Sequence, residues 1–254
     1  MQNEKITSKN NLSVKLAVLL RTSARERRGR GLFFLEGWRL CADALASGYE
    51  PELLFVTAAA QEKYPIAHKN MAVISEAVAQ KLADTQSPQG VFGIFRIKQQ
   101  TVGFHREASA SPQVVVLEHI QDPANLGAIA RTAEALGLDG LVASGGCDIY
   151  HPKALRASMG ALLRLPVAQV DDLPAFLRGV PLPCYAAVPD HAAVPLTACD
   201  FSGGALVVIG NEGGGLTEET IAACTQRVTI PMPGRAESLN AAAAAAILMW
   251  EMNK

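Results

Sequence analysis

Several features that mark particular classes of protein are scarce or absent in this sequence. The 254 residues include five cysteines, and no two of them lie at the Cys-x-x-Cys spacing typical of zinc sites. We therefore expect reduced, mostly buried thiols and no metal site. There is no run of about 18 uncharged apolar residues, and the polar N-terminus lacks the apolar centre of a signal peptide. We expect a cytoplasmic protein without a membrane span.

The chain as a whole also lacks an excess of charge of either sign, because its formal net charge is −1 at pH 7. The balance is uneven along the sequence. Residues 1–105 carry 14 Lys/Arg and 9 Asp/Glu, a net charge of +5, and the remainder is acidic. Much of the positive charge lies in residues 21–30. Basic residues beside Ser and Gly can engage phosphates, although a solvated helix end has the same composition.

The apolar pattern divides the chain into two α/β domains joined by a linker. In residues 1–100, short apolar runs alternate with amphipathic segments, as in a compact α/β unit. Residues 101–112 are small and polar and end in Ser-Pro, which is typical of a linker. In residues 113–254, apolar strand-like runs are separated by helical segments, which predicts a parallel sheet covered on both faces. The periodicity also predicts unbroken helices over about 12–28 and 152–163.

The first of three motifs that suggest chemistry is DPANLGAIARTAEALG, residues 122–137. It follows a strand, where parallel α/β sheets place their ligands. On the predicted helix, Arg131 lies in line with Gly127 and Ala128, so its side chain extends over two small residues towards the loop that holds Asn125. That arrangement leaves room for a sugar or a phosphate. The alternative is a surface arginine on an amphipathic helix that begins at Asn125 as its N-cap.

The second motif is VVIGNEGGGL, residues 207–216, in which a strand runs into four glycines. Glycines allow positive φ and close backbone approach, which suits a loop that wraps a ligand. No Gly-Lys-Ser/Thr follows, so the motif is not a P-loop, and it does not match Gly-x-Gly-x-x-Gly. Glu212 could hold a substrate hydroxyl, order the loop, or be a solvated residue of a tight turn.

The third motif is IPMPGRAESLNAA, residues 230–242. Its prolines end a strand and expose backbone groups, because proline cannot pair in a ladder. We expect the last helix to begin near Ser238 as its N-cap, with Asn240 in the first turn near the positive helix end. The six alanines 241–246 allow close approach by a backbone or a flat ligand, although a close-packed structural helix has the same composition.

In this order the three motifs resemble the SpoU (TrmH-type) branch of the SPOUT RNA methyltransferases. The family pattern has Asn-x-Gly-x-x-x-Arg, Gly-x-Glu-Gly-x-Gly and Ile-Pro-Met-x-Gly-x-x-x-Ser-Leu-Asn, and residues 113–254 match all three at the expected spacing. One departure is the alanine run after Asn240, where relatives often carry Val-Ser-Val. The first 100 residues resemble the ribosomal-protein-like RNA-binding domain that often precedes this catalytic domain, for example at Pro88-Gln89-Gly90.

The resemblance implies a C-terminal domain threaded into a trefoil knot, a homodimer whose active site borrows residues across the interface, and methyl transfer from S-adenosylmethionine to a ribose 2′-hydroxyl of RNA. Ribosomal RNA is expected before tRNA because of the front domain. By position, the resemblance implies catalytic roles for Arg131, Asn125, Glu212, Ser238 and Asn240, and cofactor binding by Gly210, Ile230, Met232, Gly234 and Leu239. With the basic segment, it implies RNA binding by Arg25, Arg27, Arg28, Arg30, Lys153 and Arg156.

A guanidinium stays protonated in proteins and is a poor base. We therefore expect Arg131 to clamp a phosphate and polarise the hydroxyl, while phosphate or water accepts the proton. Three alternatives remain open at this point. One is methylation of a base, another is a non-catalytic RNA-binding protein, and the third is a nucleotide-dependent dehydrogenase, which the missing early glycine fingerprint disfavours.

Overall fold

A computed structural model describes residues 5–98, 102 and 111–254. Its contacts divide the chain into two compact units. Unit 1 comprises Met1–Lys98 and Tyr150–Arg164, and unit 2 comprises Gln99–Ile149 and Leu165–Lys254. Residues 150–164 therefore group with the front of the chain, whereas the sequence interpretation placed them in the C-terminal domain. Nearly all of the linker predicted over 101–112 lies outside the described residues.

The elements are as follows, in chain order. The strands are β1 (Lys5–Ile6), β2 (Leu32–Glu36), β3 (Pro51–Thr57), β4 (Met71–Ile74), β5 (Val91–Arg96), β6 (Gln113–Glu118), β7 (Gly140–Ser144), β8 (Val167–Gln169), β9 (Cys184–Ala187), β10 (Val194–Pro195), β11 (Ala205–Ile209) and β12 (Gln226–Thr229). The helices are α1 (Leu12–Thr22), α2 (Ala24–Arg30), α3 (Trp38–Ala46), α4 (Ala58–Lys63), α5 (Glu76–Leu82), α6 (Pro123–Ala135), α7 (Pro152–Ala157), α8 (Ala161–Arg164), α9 (Leu173–Gly179), α10 (Glu218–Ala223) and α11 (Ala241–Met252).

Unit 1 is built on a mixed sheet with the strand order β1-β4-β3-β5-β2. β3 and β1 pair in parallel with β4, and β5 is antiparallel to both β3 and β2. α1 and α5 cover the sheet because their apolar faces, including Val14, Leu20 and Val78, are fully buried in one core cluster. The expectation of a small α/β unit in the first 100 residues agrees with this architecture.

The helix predicted over about 12–28 is broken at Ser23, and this break determines where the side chain of Arg27 lies. The Ser23 hydroxyl accepts from Glu26 N and caps α2, while the Ser23 N–H closes α1 on Leu19 O. The chain therefore turns, and the Arg27 guanidinium folds back to donate to Leu20 O at 2.6 Å and Arg21 O at 3.3 Å. These are carbonyls at the end of α1 that lack helical partners.

Arg27 is consequently only 1% exposed. A side chain with that burial and those partners cannot reach an RNA phosphate, so the prediction that Arg27 binds RNA is wrong. The neighbouring arginines differ, since Arg25, Arg28 and Arg30 are all exposed. Arg30 forms an ion pair with Glu26 one helical turn earlier.

The segment Tyr150–Arg164 is held in unit 1 by aromatic and ionic contacts. The Tyr150 ring lies 4.6 Å from that of Phe33 in β2. Arg164 pairs with Asp43 at 2.6 Å, and Arg156 pairs with Asp84 at 2.6 Å. The single helix predicted over 152–163 is two short helices, because the backbone takes positive φ at residues 159–160.

Unit 2 contains a seven-stranded sheet in which all the pairings are parallel, with the order β10-β12-β9-β11-β6-β7-β8. This confirms the predicted parallel-sheet α/β domain, while the trefoil knot stays a prediction. The interior strand β6 is almost wholly buried between β11 and β7. α6 and α11 pack against each other beside β6, β7 and β11. Because the strands are parallel, the loops that follow β6, β7, β11 and β12 emerge at one edge of the sheet.

Among the described residues, no helix combines the length and the apolar character that a membrane crossing requires.

Candidate functional site

A cavity of about 440 Å³ opens at the carboxyl edge of the unit 2 sheet, which is a volume typical of ligand sites. Its apolar wall includes Ile209, Leu216, Ile230 and Leu248. Another part of the wall is formed by residues 210–216, which we call the glycine loop and which include four glycines. The cavity thus combines apolar surface with exposed peptide groups, the composition that binds a flat ring with polar edges.

The glycine loop turns back on itself so tightly that a side chain cannot fit at its first residue. A Cβ placed on Gly210 would lie 2.1 Å from the carbonyl carbon of Gly215 and 2.3 Å from Leu216 N. Asn211 pairs with Gly215 by backbone hydrogen bonds, and its side chain accepts from the N–H groups of Gly213 and Gly214. The amide of Asn211 also donates to His119 O, which ties the loop to the end of β6.

Glu212, Asn125 and Asn240, from three separate motifs, are joined in one hydrogen-bond chain. The Glu212 carboxylate accepts from Asn125 Nδ2 at 2.9 Å and from the backbone N–H groups of Gln121 and Asp122. The Asn125 carbonyl in turn accepts from Asn240 Nδ2 at 3.1 Å. The glycine loop, the start of α6 and the start of α11 are therefore fixed to one another.

The predicted cap Ser238 is wrong, as is the alternative in which Asn125 caps its helix, and the observed caps explain this network. α6 begins two residues before Asn125, and Asp122 caps it by accepting from Ala124 N. The Asn125 side chain is thereby left available for Glu212. α11 begins after Asn240, whose oxygen accepts from the N–H groups of Ala242 and Ala243, so Asn240 and not Ser238 is the N-cap.

The electrostatics of Glu212 indicate a role in positioning. Partial burial acts to raise the pKa of this carboxyl, but the hydrogen bonds from Asn125, Gln121 and Asp122 outweigh it and hold the pKa below its ordinary value. Glu212 is therefore charged at neutral pH and has no proton to donate. Its hydrogen bonds hold the glycine loop to the start of α6.

The predicted cofactor residues gather around the cavity with one exception. Gly210, Ile230, Met232 and Leu239 line it, and Gly234 does not. Of the residues predicted to be catalytic, Glu212 and Ser238 line the cavity, while Asn125 and Asn240 stand behind it in the hydrogen-bond chain.

Arg131 is not brought into the cavity of its own chain. It is exposed on α6, on the face that also carries Ala124, Ala128 and Ala135. It lies six residues, or about 9 Å of helical rise, beyond Asn125. Within the described part of the chain, its guanidinium makes no hydrogen bond or ion pair, so it is available to a partner outside the chain.

The charges around the cavity restrict what it can bind. Glu212 and Glu237 line it, and none of its described lining residues is Lys, Arg or His. Such a site suits a cationic group and disfavours a pyrophosphate, which proteins hold with basic side chains or helix N-termini. The described residues also contain no cluster of three or more His, Cys, Asp or Glu that could hold a metal ion.

Sequence reasoning missed the residues beneath the glycine loop. His119 has φ of +54°, and a Cβ on Gly145 would lie 2.2 Å from its ring. Gly146 packs equally closely on the backbone of Ile120. The signal for this contact is the Gly145-Gly146 pair directly after β7, which could have been interpreted as a close backbone approach.

Comparisons with known proteins give consistent matches over both parts of the chain. Residues 112–250 match the SpoU rRNA Methylase family, and residues 11–93 match the MRM3-like substrate binding domain. A Synechocystis protein described as an uncharacterized tRNA/rRNA methyltransferase is 37% identical over 98% of this chain and 93% of its own length. The 23S rRNA (guanosine(2553)-2′-O)-methyltransferase RlmP of Bacillus subtilis is 29% identical over 98% of this chain and 99% of its own length.

Solved structures agree with the sequence matches. The AdoMet-bound rRNA methyltransferase from Sinorhizobium meliloti superposes with a TM-score of 0.87 at 29% identity, covering 99% of this chain and 98% of that one. The SpoU methyltransferase AviRb from Streptomyces viridochromogenes, in complex with AdoMet, gives a TM-score of 0.86 at 25% identity, covering 96% of this chain and 97% of that one.

Proposed function

The chain belongs to the SpoU rRNA Methylase family, and from that premise we propose that it transfers a methyl group from S-adenosylmethionine to a ribose 2′-hydroxyl of ribosomal RNA. The observation that carries the proposal is the cavity of unit 2, with its backbone-rich glycine loop and its acidic, cation-free lining. Apolar walls suit the adenine ring of this cofactor, and the two carboxylates suit its sulfonium. The same lining disfavours the dehydrogenase alternative.

We propose ribosomal RNA rather than tRNA as the substrate because relatives of this chain are named as rRNA methyltransferases. The Bacillus relative is named for 2′-O-methylation of a 23S rRNA guanosine. The front of this chain matches a substrate-binding domain named after MRM3, and zebrafish and mouse relatives are named mitochondrial rRNA methyltransferase 3. We propose that unit 1 performs the same task here. Its exposed arginines Arg25, Arg28 and Arg30, together with the exposed Lys153, would contact the RNA backbone.

The proposed reaction requires that the methyl group of the cofactor and the ribose 2′-oxygen be brought into line. When bound, S-adenosylmethionine supplies a methyl group on a sulfonium, and attack by the ribose 2′-oxygen forms a C–O bond as the C–S bond breaks. The hydroxyl proton leaves to a phosphate oxygen or to water. Gly210, Ile230, Met232 and Leu239 would hold the cofactor, Ser238 would orient the ribose, and Arg131 would clamp a neighbouring phosphate.

A second copy of the chain would account for an unusual surface of α11. Ile247 and Trp250 are 41% and 59% exposed, and they share one helix face with Ala243 and Ala246. An exposed tryptophan in an apolar stripe with small neighbours is typical of an interface. We propose a homodimer through this stripe, in which Arg131 serves the cavity of the partner. The substrate would place the enzyme where ribosomes assemble, which we propose to be the cytoplasm.

The reaction is tested by incubating the purified protein with radiolabelled S-adenosylmethionine and RNA from cells that lack its gene. RNA is supplied both deproteinised and within ribosomal particles, and the labelled nucleosides are identified after digestion. We expect a 2′-O-methylated nucleoside. A methylated base would identify a different acceptor, and cofactor binding without any transfer to either RNA would support the non-catalytic alternative.

The role of Arg131 is tested by mixing inactive subunits. Arg131→Ala should lower kcat by about 100-fold or more while cofactor binding is retained, because a clamp on the reacting centre acts in the transition state. If Arg131 serves the partner, mixed dimers of Arg131→Ala and Gly210→Ala chains regain one complete site. No recovery in mixed dimers would place the arginine and the cofactor in the same subunit.

A further inference from the structure

Beneath the glycine loop, a buried carboxylate that no part of the proposed reaction uses joins two distant segments. Glu118 is the last residue of β6 and is 4% exposed. Oε2 accepts from Thr217 N at 2.8 Å, and Oε1 accepts from the hydroxyls of Thr217 and Thr220. Among the described residues, no basic side chain forms an ion pair with it. Its buried oxygens have hydrogen bonds as their polar contacts, which makes each of these bonds costly to lose.

The position of this carboxylate relates it to the cavity. The glycine loop begins after Ile209, which pairs in register with Leu117 of β6. It is followed directly by Thr217, which caps α10 and is held by Glu118. Both ends of the loop are therefore fastened to the last two residues of β6. Leu216 and Ile221 line the cavity immediately on either side of the Thr217–Thr220 turn.

We infer that Glu118 is a positioning residue for the cofactor: it fixes the far end of the glycine loop and thereby sets the wall of the cavity. Glu212 fastens the middle of the loop to the start of α6, and Glu118 fastens its end to β6. This inference rests on the proposed function, because it assigns S-adenosylmethionine to the cavity. Glu118 itself is not one of the residues that line the cavity.

Unit 1 provides a matched control. Glu36 is the last residue of β2, is 9% exposed, and accepts from the N–H groups of Asp84 and Thr85 and from the Thr85 hydroxyl. Its chemistry is the same as that of Glu118, but it belongs to the other unit and lines no part of the cavity. Replacing either glutamate by methionine keeps the chain length of the side chain and removes every hydrogen bond.

The experiment measures S-adenosylmethionine binding to the full chain by calorimetry, together with denaturant unfolding and steady-state kinetics. For Glu118→Met we expect the Kd to rise about tenfold, the KM for the cofactor to rise in parallel, and kcat at saturation to stay within about threefold. Glu36→Met should lower the unfolding midpoint comparably but leave the Kd within about twofold.

Two further variants keep the inference falsifiable if Glu118→Met does not fold. Glu118→Gln should retain most of the affinity, because its oxygen can accept from Thr217 N while both threonine hydroxyls turn to accept from its amide. Thr220→Val removes one fully buried hydroxyl and should raise the Kd about threefold. The inference is overturned if Thr220→Val binds S-adenosylmethionine as tightly as the wild type does. It is also overturned if Glu36→Met weakens this binding as much as Glu118→Met does. Failure of the wild-type chain to bind the cofactor overturns the proposed function instead, and this inference with it.

Discussion

In both units, a glutamate at the end of a strand holds a threonine-containing turn that lies much later in the chain. In unit 1, Glu36 holds the turn at Thr85, and in unit 2, Glu118 holds the turn at Thr217. The unit 1 turn contributes no residue to the cavity described above, whereas the residues on either side of the unit 2 turn, Leu216 and Ile221, line it. The same chemistry is therefore structural in one unit and adjacent to function in the other. What separates them is the glycine loop that precedes the second turn.

The two units also differ in how well their sequence motifs indicated function. In unit 1, RNA binding was predicted from a cluster of positive charge. In the structure, Arg27 of that cluster is buried, and Arg156 forms an ion pair with Asp84. In unit 2, the indication was the spacing of glycines and polar residues, and the structure joins Asn125, Glu212 and Asn240. Charge places no restriction on the backbone, while glycine spacing does.

The largest effect is expected for the buried arginine of unit 1. Arg27→Ala removes a side chain that is 1% exposed and leaves carbonyls at the end of α1 without their donor, which should cost about 3–5 kcal/mol of the free energy of unfolding. Arg28→Ala, at an exposed position one residue later, should change it by less than about 0.5 kcal/mol. Urea titrations measure both. Equal stability of the two variants would remove the contrast between the units.

The next effect is expected within the glycine loop. Gly210→Ala places a Cβ against the backbone of Gly215, so the loop must move, and we expect S-adenosylmethionine affinity to fall by about 100-fold. At Gly214, the nearest atom to an added Cβ is Asn211 Oδ1 at 3.9 Å, so Gly214→Ala should bind within about threefold of wild type. Calorimetry measures both. Similar losses at the two positions would mean that the loop needs flexibility rather than close approach.

A smaller effect is expected from the exposed arginines. Reversing Arg25 and Arg28 to Glu should raise the KM for RNA by about three- to tenfold and reduce its salt dependence, with cofactor affinity unchanged, because these residues would contact phosphates. The control reverses Lys254, an exposed charge in unit 2. An unchanged KM for RNA would leave the basic segment of unit 1 with a structural role only.

The smallest effect is a dependence on pH. Because the pKa of Glu212 is lowered in the folded chain, its contribution to loop stability is present above the ordinary carboxyl range and is lost as the pH falls through the lowered value. Cofactor affinity should therefore be level from pH 7 to about pH 5 and decline below about pH 4. In Glu212→Gln, the side-chain amide would face a backbone N–H that needs an acceptor. This variant should therefore bind the cofactor weakly, and its affinity should not decline as the pH falls. A decline of the same shape in Glu212→Gln would assign it to another group.

The sequence allowed the architecture of unit 2 to be predicted because its signals are periodic and local. Buried parallel strands form continuous apolar runs, and four glycines in six residues leave few conformations other than a tight loop. The spacing of the motifs also predicted a set of cofactor residues, and most of that set lines the cavity. Gly234 is the exception, since residues 233–236 are exposed and do not line the cavity.

Features that depend on long-range contacts were not predictable in this way. The choice between Ser238 and Asn240 as a cap depends on where the backbone leaves the cavity, and both are good capping residues. The burial of Arg27 depends on a turn at Ser23 that periodicity does not register. Glu118 was missed because its partners lie about a hundred residues away in sequence.

The insertion of Tyr150–Arg164 into unit 1 has a consequence for biosynthesis. Phe33 is fully buried partly because the Tyr150 ring covers it, and Asp43 has Arg164 as its partner. A chain that leaves the ribosome from its N-terminus cannot complete unit 1 until residue 164 has emerged, by which point β6, α6 and β7 of unit 2 have already been made. The two units therefore mature in an interleaved order, and cutting the gene between them would separate unit 1 from part of its own core.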